Sequence, residues 1–206
     1  MVRYAVLLLL PAMSATAVAQ PGALDRLRAM QATPAASRAA IAQGKQAAFF
    51  CVNCHGEDGN SHIPEVPSLA GQNPAYLVEQ MRKFGSGERR DQFMQGLIKV
   101  LKDEERAQIA LYYGAGKPQP GTANAALAAR GKGKFEQICA ACHGPQAHGS
   151  DTIPRLAGQK VAYLEISITR YRNRSGERND PLMAAATAKL SKNEISALAN
   201  YLASLN

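Results

Sequence analysis

The 206-residue sequence predicts an all-α protein made of two tandem copies of one small helical domain. A five-residue pattern occurs at residues 51–55 and again at residues 139–143, an offset of 88 positions. A Pro-x-Leu-Ala-Gly-Gln segment occurs at residues 67–72 and again at residues 154–159, an offset of 87 positions. Around both pairs the apolar residues recur at helical spacing. Such small drifts in offset indicate short loop insertions within one repeated topology.

Residues 1–19 have the composition of a signal peptide. Arg3 gives a positive start, residues 5–10 are apolar, and residues 17–19 form a small-x-small cleavage site, so we expect cleavage before Gln20. The apolar run is shorter than the about 20 residues that span a bilayer. The sequence therefore predicts an exported, soluble protein, expected in a bacterial periplasm.

The segment from residue 20 to residue 36 allows two interpretations. Leu24, Leu27 and Met30 could line one face of a short helix that Pro34 would end. The favoured interpretation is instead an extended arm that packs on the first domain.

The first domain is expected over residues 20–117. Ser37 can cap a helix that runs into the first five-residue pattern. A second helix is predicted over residues 74–84 and a third over residues 103–113. The Pro- and Gly-containing stretch at residues 114–121 is the expected linker.

The second domain, expected over residues 118–206, repeats this order. Ser191 and Glu194 have the spacing of a capping box at the start of the last helix. The predicted buried stripe of that helix consists of Ile195, Leu198, Tyr201, Leu202 and Leu205.

The repeated five-residue pattern is Cys-x-x-Cys-His, the attachment signature of a c-type haem. A zinc site usually brings its second cysteine pair within about 15–20 residues, whereas Cys54 and Cys139 are 85 positions apart. A thioredoxin-like redox pair needs a βαβ context, and these flanks are helical in pattern. We therefore predict two covalently bound haem c groups, with His55 and His143 as proximal iron ligands. The predicted attachment residues are Cys51, Cys54, Cys139 and Cys142.

Methionine is the expected sixth ligand, because its soft sulfur opposite histidine suits electron transfer. Met183 is the only methionine in the second half, and its repeat mate is Met94. Both are expected on loops before the last helix of their domain. Met81 is the rival in the first half, but it lies on a helical apolar stripe and its repeat mate is Ile168.

Two further histidines, His62 and His148, could in principle replace a methionine. They follow the attachment motifs in polar loops and do not match each other at the repeat offset. The expected role of both is that of solvent-exposed loop residues.

The net charge is +8, or +7 without Arg3, and haem propionates would offset part of it. Export and the absence of an arginine-rich block argue against nucleic acid. Residues 20–117 carry 12 basic and 10 acidic residues, a net charge of +2, while residues 118–206 carry 11 and 6, a net charge of +5. The net positive charge indicates an acidic redox partner or an anionic membrane surface. The uneven charge predicts that an acidic partner would meet the second domain.

Both attachment motifs, both Pro-x-Leu-Ala-Gly-Gln segments, both Ser-Gly-Glu-Arg turns and both methionines together resemble the class I cytochromes c, and the duplication resembles the di-haem cytochrome c(4) family. This resemblance implies two tandem class I cytochrome c domains related by a pseudo-twofold axis, with haem propionate edges near the interface. It also implies that the Pro67 and Pro154 carbonyls accept the Nδ1 protons of the two ligand histidines.

The resemblance implies electron transfer from a quinol-oxidising complex to a terminal oxidase, without substrate chemistry. An alternative function is the cytochrome subunit of a dehydrogenase, such as a flavocytochrome c sulfide dehydrogenase. A third is a di-haem enzyme. A thiosulfate-oxidising type with cysteine as distal ligand is excluded because no spare cysteine exists, and a peroxidase needs a vacant iron.

Overall fold

The computed structural model describes residues 21–206, and over this range the chain forms eleven helices and no strand. The all-α prediction is confirmed. The expected signal peptide lies outside the described residues. The helices are α1 (Ala23–Gln31), α2 (Pro34–Ala47), α3 (Val52–His55), α4 (Pro74–Ser86), α5 (Gln92–Lys99), α6 (Asp103–Gly114), α7 (Ala125–Ile138), α8 (Ala140–His143), α9 (Val161–Asn173), α10 (Pro181–Thr187) and α11 (Lys192–Ala203).

Helices α1–α6 form an N-terminal lobe around one apolar core, in which α2 packs on α6. The prediction that Ser37 caps the first long helix is wrong. Helix α2 begins at Pro34, and the Thr33 side chain accepts a hydrogen bond from the Ala36 amide at 3.1 Å. Proline suits the first helical position because that position needs no N–H donor. Ser37 instead donates its hydroxyl to the Met30 carbonyl at 3.0 Å.

The favoured interpretation of the early segment, an extended arm, is wrong, because residues 23–31 form helix α1. Leu27 is buried in the N-terminal core, and α1 packs on α4 and α6. Arg26 forms an ion pair with Glu104 of α6 at 2.6 Å. Pro34 does not end this helix, which stops at Gln31.

Helices α7–α11 form a C-terminal lobe around a second apolar core, in which α7 packs on α11. The capping box predicted for α11 is confirmed, since Ser191 and Glu194 bond each other's backbone amides. Ile195, Leu198 and Leu202 are buried, while Tyr201 and Leu205 are partly buried against the same core. Among residues 21–206, no helix has both the length and the apolar composition to cross a membrane.

Candidate haem sites

One cavity of about 770 Å³ runs through both lobes and across the junction between them. Its walls are mainly aliphatic and aromatic, as expected for a porphyrin site. All eight residues predicted to attach or ligate the two haems line this cavity. They are Cys51, Cys54, His55, Met94, Cys139, Cys142, His143 and Met183.

Each attachment motif forms one short helical turn, α3 in the N-terminal lobe and α8 in the C-terminal lobe. The turns end at Gly56 and Gly144, whose φ angles are 84° and 76°. This left-handed region favours glycine because it has no Cβ. All four cysteines are free thiols, as a thioether attachment requires.

The two motif histidines are buried and held in the same way. The Nδ1 atom of His55 lies 2.9 Å from the Pro67 carbonyl oxygen, and that of His143 lies 3.0 Å from the Pro154 carbonyl oxygen. A carbonyl oxygen can only accept, so Nδ1 carries the proton and Nε2 keeps its lone pair for a metal. Burial lowers the pKa of both imidazoles, although the carbonyl bond opposes this. Both rings are therefore neutral at pH 7, the form that ligates iron.

Met94 and Met183 lie in short helices and not in loops, so that part of the prediction is wrong. Asp91 caps α5 and accepts a hydrogen bond from the Met94 amide at 3.0 Å. Asp180 caps α10 and accepts one from the Met183 amide, also at 3.0 Å. Each methionine is thus fixed in the first turn of a capped helix beside the cavity. The helices were missed because they have only eight and seven residues, fewer than the about 11–18 over which a helical period is usually judged.

The other candidates for the sixth iron ligand are Met81, His62 and His148. Met81 is buried on α4 among the core residues of the N-terminal lobe and also borders the cavity, as does its mate Ile168. His62 and His148 are exposed and do not line the cavity. The His148 ring is within 2.8 Å of the Asn206 carbonyl oxygen.

A reciprocal pair of glutamines joins the lobes, and sequence reasoning gave neither residue a role. The buried Gln72 side chain bonds the Arg155 amide at 2.8 Å and the Arg155 carbonyl at 2.9 Å. The buried Gln159 side chain bonds the amide and the carbonyl of Ser68, both at 2.9 Å. Since Ser68 and Arg155 are repeat mates, the exchange is symmetric, as a pseudo-twofold axis requires. The sequence feature that could have identified these residues is the glutamine at the end of both Pro-x-Leu-Ala-Gly-Gln segments.

Two helical glycines, also missed, allow a close helix crossing in each lobe. A Cβ on Gly44 of α2 would lie 2.1 Å from the Gln108 carbonyl oxygen of α6. A Cβ on Gly131 of α7 would lie 2.1 Å from the Ala197 carbonyl oxygen of α11. Their signal was a glycine within a helical pattern in both repeats, 87 positions apart.

The donor set fits a c-type haem in each lobe. Two free thiols on one helical turn, a neutral imidazole with a free Nε2 and a thioether sulfur border an apolar cavity. A zinc site of four thiolates is disfavoured, because the two cysteine pairs lie in different lobes and in two separate helical turns.

Comparison with known proteins points the same way. The family model described as Cytochrome c matches residues 128–206. The chain is 36% identical over 184 residues to "Cytochrome c4" of Pseudomonas aeruginosa, which covers 84% of this chain and 90% of the relative. It is 34% identical over 184 residues to a "Thiosulfate dehydrogenase electron acceptor" of Thiomonas intermedia, covering 82% and 84%. The crystal structure of reduced recombinant cytochrome c4 from Pseudomonas stutzeri matches with a TM-score of 0.72 at 34% identity, covering 79% of this chain and 97% of that one.

Proposed function

We propose that this chain, which belongs to the cytochrome c4 family, carries electrons between redox proteins in the periplasm and toward a terminal oxidase. It is a di-haem electron-transfer cytochrome with two covalently bound haem c groups. The main support for a role as electron carrier is that each lobe presents a buried histidine and a methionine from a capped helix to one cavity. Export follows from the signal peptide expected over residues 1–19.

The proposed division of labour is the same in both lobes. The two thiols of each motif would hold a porphyrin, the histidine would bind its iron through Nε2, and the methionine sulfur would bind the iron as well. Bound in this way, each haem supplies a one-electron Fe(III)/Fe(II) couple. His55 and His143 serve as proximal ligands, and Met94 and Met183 as distal ligands. Ligation by both the histidine and the methionine would leave no iron site for a substrate, so the proposed role is that of a carrier and not of an enzyme.

Replacing the methionines tests this proposal. Met94→Ala and Met183→Ala should each leave both haems attached, because thioether bonds do not depend on the sixth ligand. Each should lower the potential of one haem and open it to carbon monoxide. Met81→Leu is the matched control and should do neither. The measurements are mass spectrometry, redox titration and carbon monoxide difference spectra. Rapid stoichiometric binding of carbon monoxide by the wild type would favour an enzyme.

A second candidate partner is a dehydrogenase, because the chain is similar to the thiosulfate dehydrogenase electron acceptor of Thiomonas intermedia. In this role the chain accepts electrons from a substrate-oxidising subunit, and it need not reach an oxidase directly. The two roles differ in the electron donor. Stopped-flow reduction by a purified quinol-oxidising complex, compared with reduction by a thiosulfate dehydrogenase or a flavoprotein dehydrogenase, distinguishes them. Stable co-purification with a dehydrogenase would favour the second role.

The C-terminal lobe is the proposed contact surface for an acidic partner. Arg174 is exposed at the end of α9, close to Arg170 and Arg172 on the same helix. In the N-terminal lobe, by contrast, Arg82 is locally neutralised by Glu79 and Glu88.

Charge reversal tests the surface. Reversal of Arg170, Arg172 and Arg174 should slow association more than reversal of Arg82 and Lys83, and the difference should shrink as salt is added. Equal slowing by the two sets, measured by stopped-flow at several ionic strengths, would contradict this surface.

A further inference from the structure

A buried arginine without a carboxylate partner lies at the junction of the lobes. Arg178 is 6% exposed. It donates to the Tyr163 hydroxyl and to the Ser167 hydroxyl, the latter at 3.3 Å. Its other terminal nitrogen lies 3.5 Å from the hydroxyls of Tyr76 and Tyr171. Neutral hydroxyls therefore surround this cation on the protein side, and one of them belongs to the other lobe.

The repeat mate of this residue, Arg89, approaches the same point from the N-terminal lobe. It donates to the Gln80 side-chain oxygen at 2.9 Å and to the Tyr163 hydroxyl at 3.4 Å, and it stacks on the Phe84 ring at 4.3 Å. Two guanidinium groups from different lobes thus share the hydroxyl of Tyr163. Although burial opposes ionisation, the charges of Arg178 and Arg89 lower the pKa of Tyr163 to about 8.

The cluster lacks a negative charge to balance it. Over residues 21–206, no carboxylate forms an ion pair with Arg89 or Arg178. Arginine stays protonated in proteins, and a buried cation without an anion is costly. Two neighbouring cations add mutual repulsion. The arrangement is therefore incomplete without an anion.

Both guanidinium groups border the haem cavity. The only anionic groups of a haem are its two propionates, and guanidinium matches a carboxylate in shape and charge. We propose that Arg89 and Arg178 bind propionates of both haems at the lobe junction and form one shared charge cluster. This inference rests on the two attached haems and not on the identity of the sixth ligands, so it survives if methionine ligation fails.

The shared cluster has an electrical consequence for both haems. A ferric haem has one more positive charge than a ferrous haem, so a nearby cation disfavours the oxidised form and raises the potential. A cation that neutralises a propionate also raises the haem potential, because it removes a negative charge that would stabilise the ferric form. Since Arg89 and Arg178 meet at one point, loss of either should affect both haems, whereas loss of a sixth ligand acts chiefly on one.

The test uses the holoprotein and spectroelectrochemical redox titration. Arg178→Gln and Arg89→Gln should each lower both midpoint potentials with both haems still attached. Arg178→Lys keeps the charge and should recover most of the shift. The matched control is Arg130→Gln, which removes an exposed arginine of α7 that does not border the cavity. Unchanged potentials in folded Arg178→Gln and Arg89→Gln proteins would overturn the proposal.

A measurement on the wild type keeps the proposal testable if the buried substitutions prevent folding. Reduced under carbon monoxide, each ferrous haem would be low-spin and diamagnetic whether or not a methionine binds its iron, so nuclear Overhauser effects between the arginine side-chain N–H protons and the haem propionate methylenes can be sought. We expect such contacts for Arg178 and Arg89, with slow exchange of the N–H protons. Absence of contacts to either haem from both assigned side chains would overturn the proposal.

Discussion

After the attachment motif, the two lobes form the same backbone turn, but a different residue occupies it in each lobe. Gly59 in the N-terminal lobe has a φ of 82°, and its counterpart Ala147 in the C-terminal lobe has a φ of 56°. The carbonyl of each accepts two amides from the following loop, at 2.7 and 3.0 Å for Gly59 and at 2.8 and 3.2 Å for Ala147. Alanine keeps this turn although its Cβ disfavours it. The backbone hydrogen bonds that place the proline carbonyl near the histidine therefore outweigh the side-chain preference.

The rest of that loop shows how far the lobes differ where no ligand is held. In the N-terminal lobe, Asn60 and Ser61 are buried, and they bond the Lys117 carbonyl at 3.0 Å and the Cys54 carbonyl at 2.6 Å. The C-terminal lobe has the exposed His148 in this region. Helix α1 and its ion pair to α6 also belong to the N-terminal lobe alone among the described residues. The contacts that hold the two histidines and cap the two methionine helices are thus shared, and these other contacts are not.

Removal of one haem should have the largest effect and show whether the lobes depend on each other. Cys139→Ser with Cys142→Ser should leave one haem and unfold much of the C-terminal lobe, because its half of the cavity would lose its filling. Cys51→Ser with Cys54→Ser should do the same to the N-terminal lobe. Mass spectrometry counts the haems, and amide hydrogen exchange locates the loss. Global unfolding in both variants would show that the lobes are not independent.

Adding a side chain where two helices cross should have the second-largest effect on stability. Gly44→Ala and Gly131→Ala each place a methyl 2.1 Å from a backbone oxygen, so each should cost about 3 kcal/mol of unfolding free energy. Gly133→Ala is the matched control in α7, where a Cβ meets open space, and it should stabilise by up to about 1 kcal/mol. Denaturant titration measures all three. A much larger cost in one lobe would mean that only that lobe limits stability.

The junction glutamines should have smaller and equal effects. Gln72→Ala and Gln159→Ala each remove two hydrogen bonds to the other lobe, and each exposed backbone group can recruit water, so we expect about 1–3 kcal/mol per variant. The readouts are denaturant titration and hydrogen exchange at residues 68 and 155. A larger loss for Gln72 would show the added effect of Asn73, which contacts the C-terminal lobe through three carbonyls.

The smallest expected effect is the pH-dependent loss of stability on removal of the Lys134–Glu194 ion pair. Lys134 of α7, 2.8 Å from Glu194, lowers the pKa of that carboxyl to about 2, with help from Ser191. The stabilisation is therefore present above the ordinary glutamate pKa and lost as the pH falls toward 2. Lys134→Ala should lower stability at pH 7 and match the wild type near pH 2. Lys132→Ala, on the same helix, is the control. A deficit that persists at pH 2 would refute the electrostatic explanation.

The repeat allowed the residues that line the candidate haem cavity to be predicted, because each motif could be checked against its mate. Chemistry at fixed spacing, such as Cys-x-x-Cys-His, needs no tertiary information. The cap of α2 was misplaced for a local reason, because Pro34 fits the first helical turn and Thr33 therefore precedes it. Two other features leave only a repeated residue in the sequence, because their roles depend on which chain segments meet in space. The crossing glycines matter only once α2 meets α6 and α7 meets α11. Gln72 and Gln159 are ordinary polar residues until the other lobe presents its backbone.

The glutamine exchange also bears on how a duplicated gene can change. Gln72 and Gln159 recognise an amide and a carbonyl, which every residue except proline provides. The positions they contact, Ser68 and Arg155, already differ completely in side chain while keeping the same pairing. Substitutions at these positions can therefore accumulate in either copy without separating the halves. Such drift can retune the surroundings of one haem while the spacing between the two is inherited unchanged.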